Sequence, residues 1–343
     1  MSESKARTML SRLSLTPKRN EIKPEMRRME LERELDDSKM RMNYSKVADV
    51  REKLAKMAEK DGDWKKELNH LKEAVYVKYL EYQQNKQYEI EQYITSDICR
   101  LHNMIVDIAI KFETKDYVRL VAKDAGLCMK QLHQYSDARY FLQIAESQVD
   151  EYPSKSTPFY LDRVIVLYST IDCLIVMEKW NEVMVYADKI WMSTMKESDR
   201  ETNDMKINIT KDAEYIAILT LFFKGKVESS ERHKQILMAY NLKNPNQPMM
   251  FNDSQISVLN ENEKKRFRQF LLMVQKVQRC PARAMISTIS DILPRPFIRE
   301  AYQSTDHTDI VQLYSRTAIN LANLVIDKYN TCRSMFGRKS ERF

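Results

Sequence analysis

The chain of 343 residues is 43% hydrophobic, carries a net charge of +7 and contains only four glycines. Doubly wound folds need glycine at tight strand–helix turns and sandwiches need it at hairpins, so this scarcity argues against both and favours helices joined by short turns. No apolar run is long enough to span a bilayer, which takes roughly 18–20 residues. The composition therefore predicts a soluble all-α protein.

The positive charge is concentrated at the two ends of the chain. Residues 1–28 carry eight basic and three acidic residues and residues 328–343 carry five and one, which leaves a net charge of −2 on the body between them. A nucleic-acid-binding fold usually carries its basic stripe on the folded surface, so this distribution predicts no nucleic-acid partner. Five cysteines without paired spacing predict a reducing compartment and a cytoplasmic location.

The predicted elements begin with residues 1–25, where Ser, Thr, Pro and basic residues without apolar periodicity predict a disordered basic tail. Its stretch "KARTMLSRLSL" leaves a mitochondrial presequence open, and Ser14 and Thr16 are candidate phosphorylation sites. Beyond the tail we predict an N-terminal helical-repeat block over 26–243, a loop or linker over 244–254, a C-terminal helical block over 255–336 and a second basic tail over 337–343.

Apolar stripes with helical spacing recur through the first block. One stripe consists of Leu101, Met104, Ile105, Ile108 and Phe112, and further stripes follow after short polar turns. The later segment "AEYIAILTLFF" is apolar on nearly every side, which predicts a buried helix. Because short turns make sequential helices antiparallel neighbours, the pattern predicts an α-solenoid of antiparallel helix pairs.

The turns of this block share polar residues followed by an aromatic residue. The aromatics are Tyr117, Tyr135 and Trp180, the first two 18 residues apart and the third 45 further on. The 18-residue spacing of Tyr117 and Tyr135 is close to half the length of a 34-residue tetratricopeptide repeat. Of the tetratricopeptide consensus, the sequence shows only the aromatic and small residues of the repeat's second helix. We therefore predict tetratricopeptide-like packing.

No short catalytic motif is present in the sequence, which lacks a Gly-rich phosphate loop, HExxH, G-x-S-x-G and Cys-x-x-Cys. We therefore expect no enzymatic activity and no cofactor. A zinc site built from Cys99, His102, Cys128 and His133 is the alternative that the residue types allow. Cys128 and His133 are five positions apart and lie on different helix faces, so a buried thiol and a turn histidine are the preferred interpretation.

Three apolar residues stand outside any helical stripe. Met249, Met250 and Phe251 follow two prolines in "NPNQPMMF", where no helix face hides them. An exposed apolar loop is typical of a docking site, and we predict that these three residues bind a partner. The alternative is that the loop folds back onto the chain's own helices.

With the helices placed, residues 103–145, "NMIVDIAIKFETKDYVRLVAKDAGLCMKQLHQYSDARYFLQIA", resemble the central repeats of the 40-kDa huntingtin-associated protein family, also called the factor VIII intron 22 protein family. The resemblance lies in helix spacing and in the pattern of small and apolar residues. It continues through "IDCLIVMEKWNEVMVYADKI", "AEYIAILTLFFKG" and "QFLLMVQKVQRCPARAMISTISDILP".

This resemblance implies an α-helical scaffold or adaptor that is a stable subunit on a large huntingtin-like helical-repeat protein. It also implies a second partner, an early-endosomal Rab GTPase, with a role in endosome trafficking and with endosomal and nuclear locations besides the cytoplasm. The family has no catalytic motif, so no functional residue is carried over. Soluble NSF attachment proteins, helical-hairpin adaptors of vesicle fusion, are the competing resemblance.

Overall fold

A computed structural model describes residues 24–85, 88–148, 157–195, 203–225, 227–251 and 257–275, together with 317–318, 321–322 and 324. These residues form eleven helices and no strand, so the all-α prediction is confirmed for them. Within the same ranges, no helix is both long enough and apolar enough to cross a membrane. The predicted tails lie outside the described residues, except that Pro24 already begins the first helix.

Packing divides the chain into two units, of which the first ends at Glu113. This unit contains four helices: α1 (Pro24–Met40), α2 (Tyr44–Lys60), α3 (Trp64–Gln84) and α4 (Tyr88–Phe112). Each helix packs against the next one along the chain. Where α1 meets α2, a buried apolar cluster forms from Leu31, Leu35, Val47, Val50 and Leu54. This burial stabilises α1, whose own sequence has little apolar periodicity.

The second unit begins at Thr114 and contains the other helices. They are α5 (Lys115–Gln131), α6 (Tyr135–Ser147), α7 (Thr157–Val176), α8 (Trp180–Met195), α9 (Asn203–Lys224), α10 (Glu231–Ala239) and α11 (Glu261–Gln275). From α5 to α10 each helix packs against its successor, and α5 also touches α7. This packing in sequence order is the arrangement that the α-solenoid prediction requires.

The helix α9 lies at the centre of the second unit. Every residue from Ala213 to Leu221 is buried, which confirms the prediction made from its apolar sequence. Its neighbour α11 contributes Phe267, whose ring meets the Tyr215 ring edge-on with centroids 4.8 Å apart. A helix that is apolar on all sides must be covered on all sides, and the surrounding helices provide that cover.

Four of the helix–helix turns share one backbone geometry. In each, a residue with positive φ follows the helix, and the next N–H donates to the carbonyl oxygen five residues earlier. This is the Schellman arrangement, which satisfies carbonyls at the end of a helix. The left-handed residues are Met42, Gly62, His133 and Glu178. The helix that follows each turn begins with an aromatic residue: Tyr44, Trp64, Tyr135 or Trp180.

Burial repeats around these four aromatic residues. Counting from each aromatic, the residue nine positions before and those three and ten positions after are buried in every case. They are Leu35, Val47 and Leu54; Ala55, Glu67 and Ala74; Gly126, Ala138 and Ala145; and Ile171, Val183 and Ile190. Tyr117 does not belong to this series, because it is the third residue of α5 and Leu120, three positions on, is exposed. The structural repeat therefore includes two turns of the first unit that the sequence pattern did not reveal.

Gly126 allows α5 and α6 to approach closely. A Cβ added at this position would lie 2.6 Å from Cγ of Leu142 and 3.2 Å from the carbonyl oxygen of Ala138. We predict that Gly126→Ala lowers the free energy of unfolding by about 1–2 kcal/mol, because overpacking costs more than the ~1 kcal/mol of helix propensity that alanine gains. Urea unfolding checks this. In a Leu142→Ala background the same change should become neutral or stabilising, and equal effects in both backgrounds would contradict the steric explanation.

Candidate interaction surface

The helices α6 and α8 are the second helices of the pairs α5–α6 and α7–α8. They lie side by side, and polar contacts join them. Arg139 on α6 forms an ion pair with Glu182 on α8. Near the other end of α6, the Glu146 carboxylate accepts from the Tyr186 hydroxyl at 2.8 Å and from Lys189 Nζ at 2.5 Å. Burial and the bond to Glu146 raise the pKa of Tyr186, so this phenol stays a donor at neutral pH. Two separated contacts of this kind fix the alignment of the two helices.

A second set of contacts joins α8 to α10. His233 Nδ1 lies 3.3 Å from Asp188 Oδ1, and the Arg232 guanidinium stacks over the Trp191 ring, 3.1 Å from its centroid. Burial lowers the pKa of His233 to about 4, so the imidazole is neutral at pH 7. Because Arg232 can only donate to Nε2, 3.0 Å away, the imidazole proton resides on Nδ1, which lies 2.9 Å from Ser230 Oγ and 3.3 Å from Asp188 Oδ1.

These three helices expose an apolar side chain at four positions, which we call the even-helix face: Tyr140, Val185, Met192 and Met238. Their exposed fractions lie between 53% and 64%. Tyr140 and Val185 occupy the same place in the repeat, five residues after the aromatic that begins their helix. Two ion pairs, Arg139–Glu182 and Lys189–Glu146, join α6 to α8 beside these side chains. Exposed apolar side chains on adjacent helices are typical of a protein-binding surface.

A buried carboxylate holds α10 and the segment before α11 onto α9. Glu214 is fully buried and accepts from Ser257 Oγ at 2.5 Å, from the Val258 N–H at 3.0 Å and from Arg232 Nη2 at 3.3 Å. Burial raises the pKa of Glu214 against the opposing effect of these donors. Since Arg232 also stacks on α8, one buried cluster determines where α10 lies beside the even-helix face.

The predicted docking loop lies close to this face, but most of it packs inward. Met249 and Phe251 are partly buried against the core, and the Phe251 ring meets the Tyr240 ring edge-on with centroids 5.1 Å apart. Only Met250 of the three is exposed, at 58%. Its N–H donates to the carbonyl of Ala239 at 2.8 Å, which places it beside Met238 at the end of α10.

The same loop is fastened to α11 by one arginine. Arg268 Nη2 donates to the carbonyl oxygens of Asn241, Asn244 and Gln247 at 3.3, 3.3 and 2.7 Å. Asn244 and Gln247 of the predicted linker are therefore bound to the helix that follows them, while 252–254 lie outside the described residues. Partner binding by Met249 and Phe251 stays a prediction, and Met250 is the member of the loop whose side chain faces solvent.

The four residues of the zinc alternative are divided between the two units. Cys99 Sγ lies 3.8 Å from the Asn103 side-chain nitrogen, and burial lowers the pKa of His102 to about 4. In the second unit, burial raises the pKa of the Cys128 thiol to about 11, and His133 Nδ1 lies 2.9 Å from the Tyr135 hydroxyl. The part of the chain that the structure describes contains no group of three or more His, Cys, Asp or Glu side chains arranged to hold a metal ion.

The fold and this surface define an all-helical protein whose helices pack in sequence order. No protein-family model matches the chain. An uncharacterized protein of Caenorhabditis elegans, T09A5.4, is 35% identical to it over 290 residues, which cover 81% of this chain and 97% of the nematode protein. The chain therefore belongs to the same family as T09A5.4.

Proposed function

We propose that the protein is a non-enzymatic scaffold or adaptor that binds another protein through the even-helix face. The observation that supports this most directly is the set of exposed side chains Tyr140, Val185, Met192 and Met238 on three helices whose alignment is fixed by buried and bridging polar contacts. A rigid surface of this kind loses little side-chain and backbone freedom on binding, which favours stable complexes.

The partner that we propose is a large helical-repeat protein of the huntingtin type, with an early-endosomal Rab GTPase as a second partner and a role in endosome trafficking. This proposal rests on the resemblance of residues 103–145 to the 40-kDa huntingtin-associated protein family. Those residues correspond to the end of α4 and to α5 and α6, and α6 carries Tyr140 of the even-helix face. The resembling segment thus includes part of the proposed surface.

We also propose that the helix pairs are tetratricopeptide-like. The contact of Gly126 with Ala138 and Leu142 supports this, because a small residue on each helix lets the pair approach closely. Ala138 and Leu142 have the spacing of the small and aromatic positions in the second helix of that repeat. Leucine stands here in place of the consensus phenylalanine.

Affinity purification of the full chain from its own cells is the test of this function. We expect one very large helical-repeat protein at near-equal stoichiometry, held by a contact that survives high salt, because buried apolar contacts are not screened. Replacing Tyr140 and Val185 together by glutamate should abolish recovery of that protein. The unfolding midpoint should change little, because both side chains are exposed.

Leu120→Glu is the matched control, because Leu120 is an exposed apolar residue on α5, outside the even-helix face. It should leave the complex intact. Met250→Glu tests whether the loop beside α10 extends the surface. Recovery of SNARE proteins instead of a helical-repeat scaffold would favour a vesicle-fusion adaptor, and equal loss with Leu120→Glu would reject the even-helix face as the contact.

A further inference from the structure

Three exposed methionines occupy the end of the even-helix face that includes α10. Met192 on α8 follows Trp191, whose ring is stacked with Arg232 of α10. Met238 lies in the last turn of α10, and the N–H of Met250 donates to the carbonyl oxygen of the residue that ends this helix. Each of the three side chains is more than half exposed. We call Met192, Met238 and Met250 the methionine end of the face.

Other sulfur atoms of the second unit are much less accessible to an oxidant in water. The side chains of Met129 and Met184 are at most 1% exposed. Burial raises the pKa of the Cys128 thiol to about 11 and that of the Cys173 thiol to about 12. Both thiols therefore stay protonated at neutral pH, and a protonated thiol reacts slowly. Compared with these four sulfurs, those of the methionine end are the ones that an oxidant reaches first.

Hydrogen peroxide oxidises a methionine thioether in a single two-electron step. A lone pair of the sulfur attacks one peroxide oxygen, so that an S–O bond forms and the O–O bond breaks. The departing hydroxide takes up the proton that the transferred oxygen releases, and the products are a sulfoxide and one water molecule. The flexible apolar side chain thereby becomes polar. Two methionine sulfoxide reductases, one for each sulfoxide epimer, reverse the step.

We propose that the methionine end is a redox-sensitive switch, in which peroxide converts Met192, Met238 and Met250 to sulfoxides and the even-helix face then loses its partner. This inference rests on the proposed function, because it assigns a means of regulation to the same surface. It does not depend on which protein the partner is.

The exposure of the three side chains explains why oxidation acts on binding rather than on folding. In the free protein each sulfoxide oxygen remains in water, because the side chain that carries it is more than half exposed. In the complex the same oxygen is removed from water and placed against an apolar contact, and burying a polar group without a hydrogen-bond partner is unfavourable. Oxidation therefore raises the free energy of the complex relative to that of the separated proteins.

Peptide mapping of the full chain after brief treatment with hydrogen peroxide tests the accessibility of these sulfurs. The three methionines of the methionine end should be converted at least about tenfold faster than Met129 and Met184, because the latter two are buried. The urea midpoint of the treated protein should match that of the untreated protein. Equal rates at all five methionines would overturn the proposal. A lowered midpoint would do so as well, because damage to the core would then explain any loss of binding.

Affinity purification with the treated full chain tests the effect on binding. After removal of the peroxide, this chain should recover at least about tenfold less of the large co-purifying protein than the untreated chain does, and treatment with both reductases should restore the recovery. Leucine at all three positions, as Met192→Leu, Met238→Leu and Met250→Leu together, should keep the recovery high and make it insensitive to peroxide. Leucine retains the apolar surface without a sulfur atom.

The chain with Met40→Leu and Met42→Leu is the matched control, because these methionines are also exposed but belong to the first unit. Its recovery should remain as sensitive to peroxide as that of the wild type. Equal sensitivity in the variant with three leucines at the methionine end would overturn the switch. Failure of the proposed function gives a different result, since replacing Tyr140 and Val185 by glutamate would then leave the recovery unchanged. If that replacement abolishes recovery and oxidation does not, the even-helix face is the contact and only the switch is rejected.

Discussion

Replacing Asp212 by asparagine is expected to raise the free energy of unfolding at pH 7 by about 2–4 kcal/mol. Asp212 lies on the buried helix α9 and is only 5% exposed. Its Oδ1 has no hydrogen-bond partner among the described residues. Burial raises the pKa of this carboxyl to about 8, so the folded protein keeps it protonated at neutral pH.

The pH dependence follows from the sign of this shift. Between about pH 4 and pH 8 the unfolded chain has released the proton of Asp212 while the folded chain still holds it, so unfolding becomes more favourable as the pH rises. Asparagine cannot ionise and removes this penalty. The advantage of Asp212→Asn should therefore be largest near pH 8 and should disappear near pH 4.

Urea unfolding of the variant and the wild type at several pH values between 4 and 8 measures this difference. Asp107→Asn is the control, because it is the same replacement at an exposed position of α4, where there is no burial penalty to remove. It should change stability by less than about 0.5 kcal/mol. A destabilised Asp212→Asn protein would mean that the carboxylate is ionised and paired in the folded state.

The order of the helices could be predicted from the sequence because each helix has its own periodic signal. The stripe through Leu101 and Phe112 and the apolar run around Ile216 became α4 and α9. The positions of the turns were predictable where an aromatic follows polar residues, as at Tyr135 and Trp180. Tyr117 failed as a turn marker because α5 begins two residues earlier, at Lys115, capped by Thr114.

The even-helix face was not predicted, because its contacts join residues about forty positions apart. Glu146 and Lys189 are 43 residues apart, and neither stands out locally. The 45-residue spacing of Tyr135 and Trp180 was the available signal, since it places Tyr140 and Val185 at equivalent positions. Glu214 was a second signal, because a carboxylate inside "AEYIAILTLFF" must be buried with partners, although the sequence does not identify them as Arg232 and Ser257.

For the predicted docking loop, the sequence indicated apolar side chains outside a helix, but it did not indicate whether they face solvent or the core. Prolines and adjacent apolar residues indicated side chains outside any helix face. Whether such side chains face solvent depends on the nearest core surface, and here Tyr240 and Lys264 provide one for Phe251. Arg268 donates to carbonyl oxygens of the loop. The loop can therefore pack inward without leaving these carbonyls unpaired.

Replacing Arg232 by leucine is expected to lower the free energy of unfolding by about 3–5 kcal/mol, because it leaves the fully buried Glu214 without its cation. Glu214→Gln should cost less, since an amide oxygen can still accept from Ser257. The double variant should be more stable than Arg232→Leu alone, because no buried charge then remains unpaired.

Urea unfolding of the wild type, both single variants and the double variant measures this coupling. Lys234→Leu is the control, because its pair with Glu231 is exposed and should contribute less than about 1 kcal/mol. If the two single effects simply add, Glu214 does not depend on Arg232, and the placement of α10 beside the even-helix face must then come from apolar packing around Ile236.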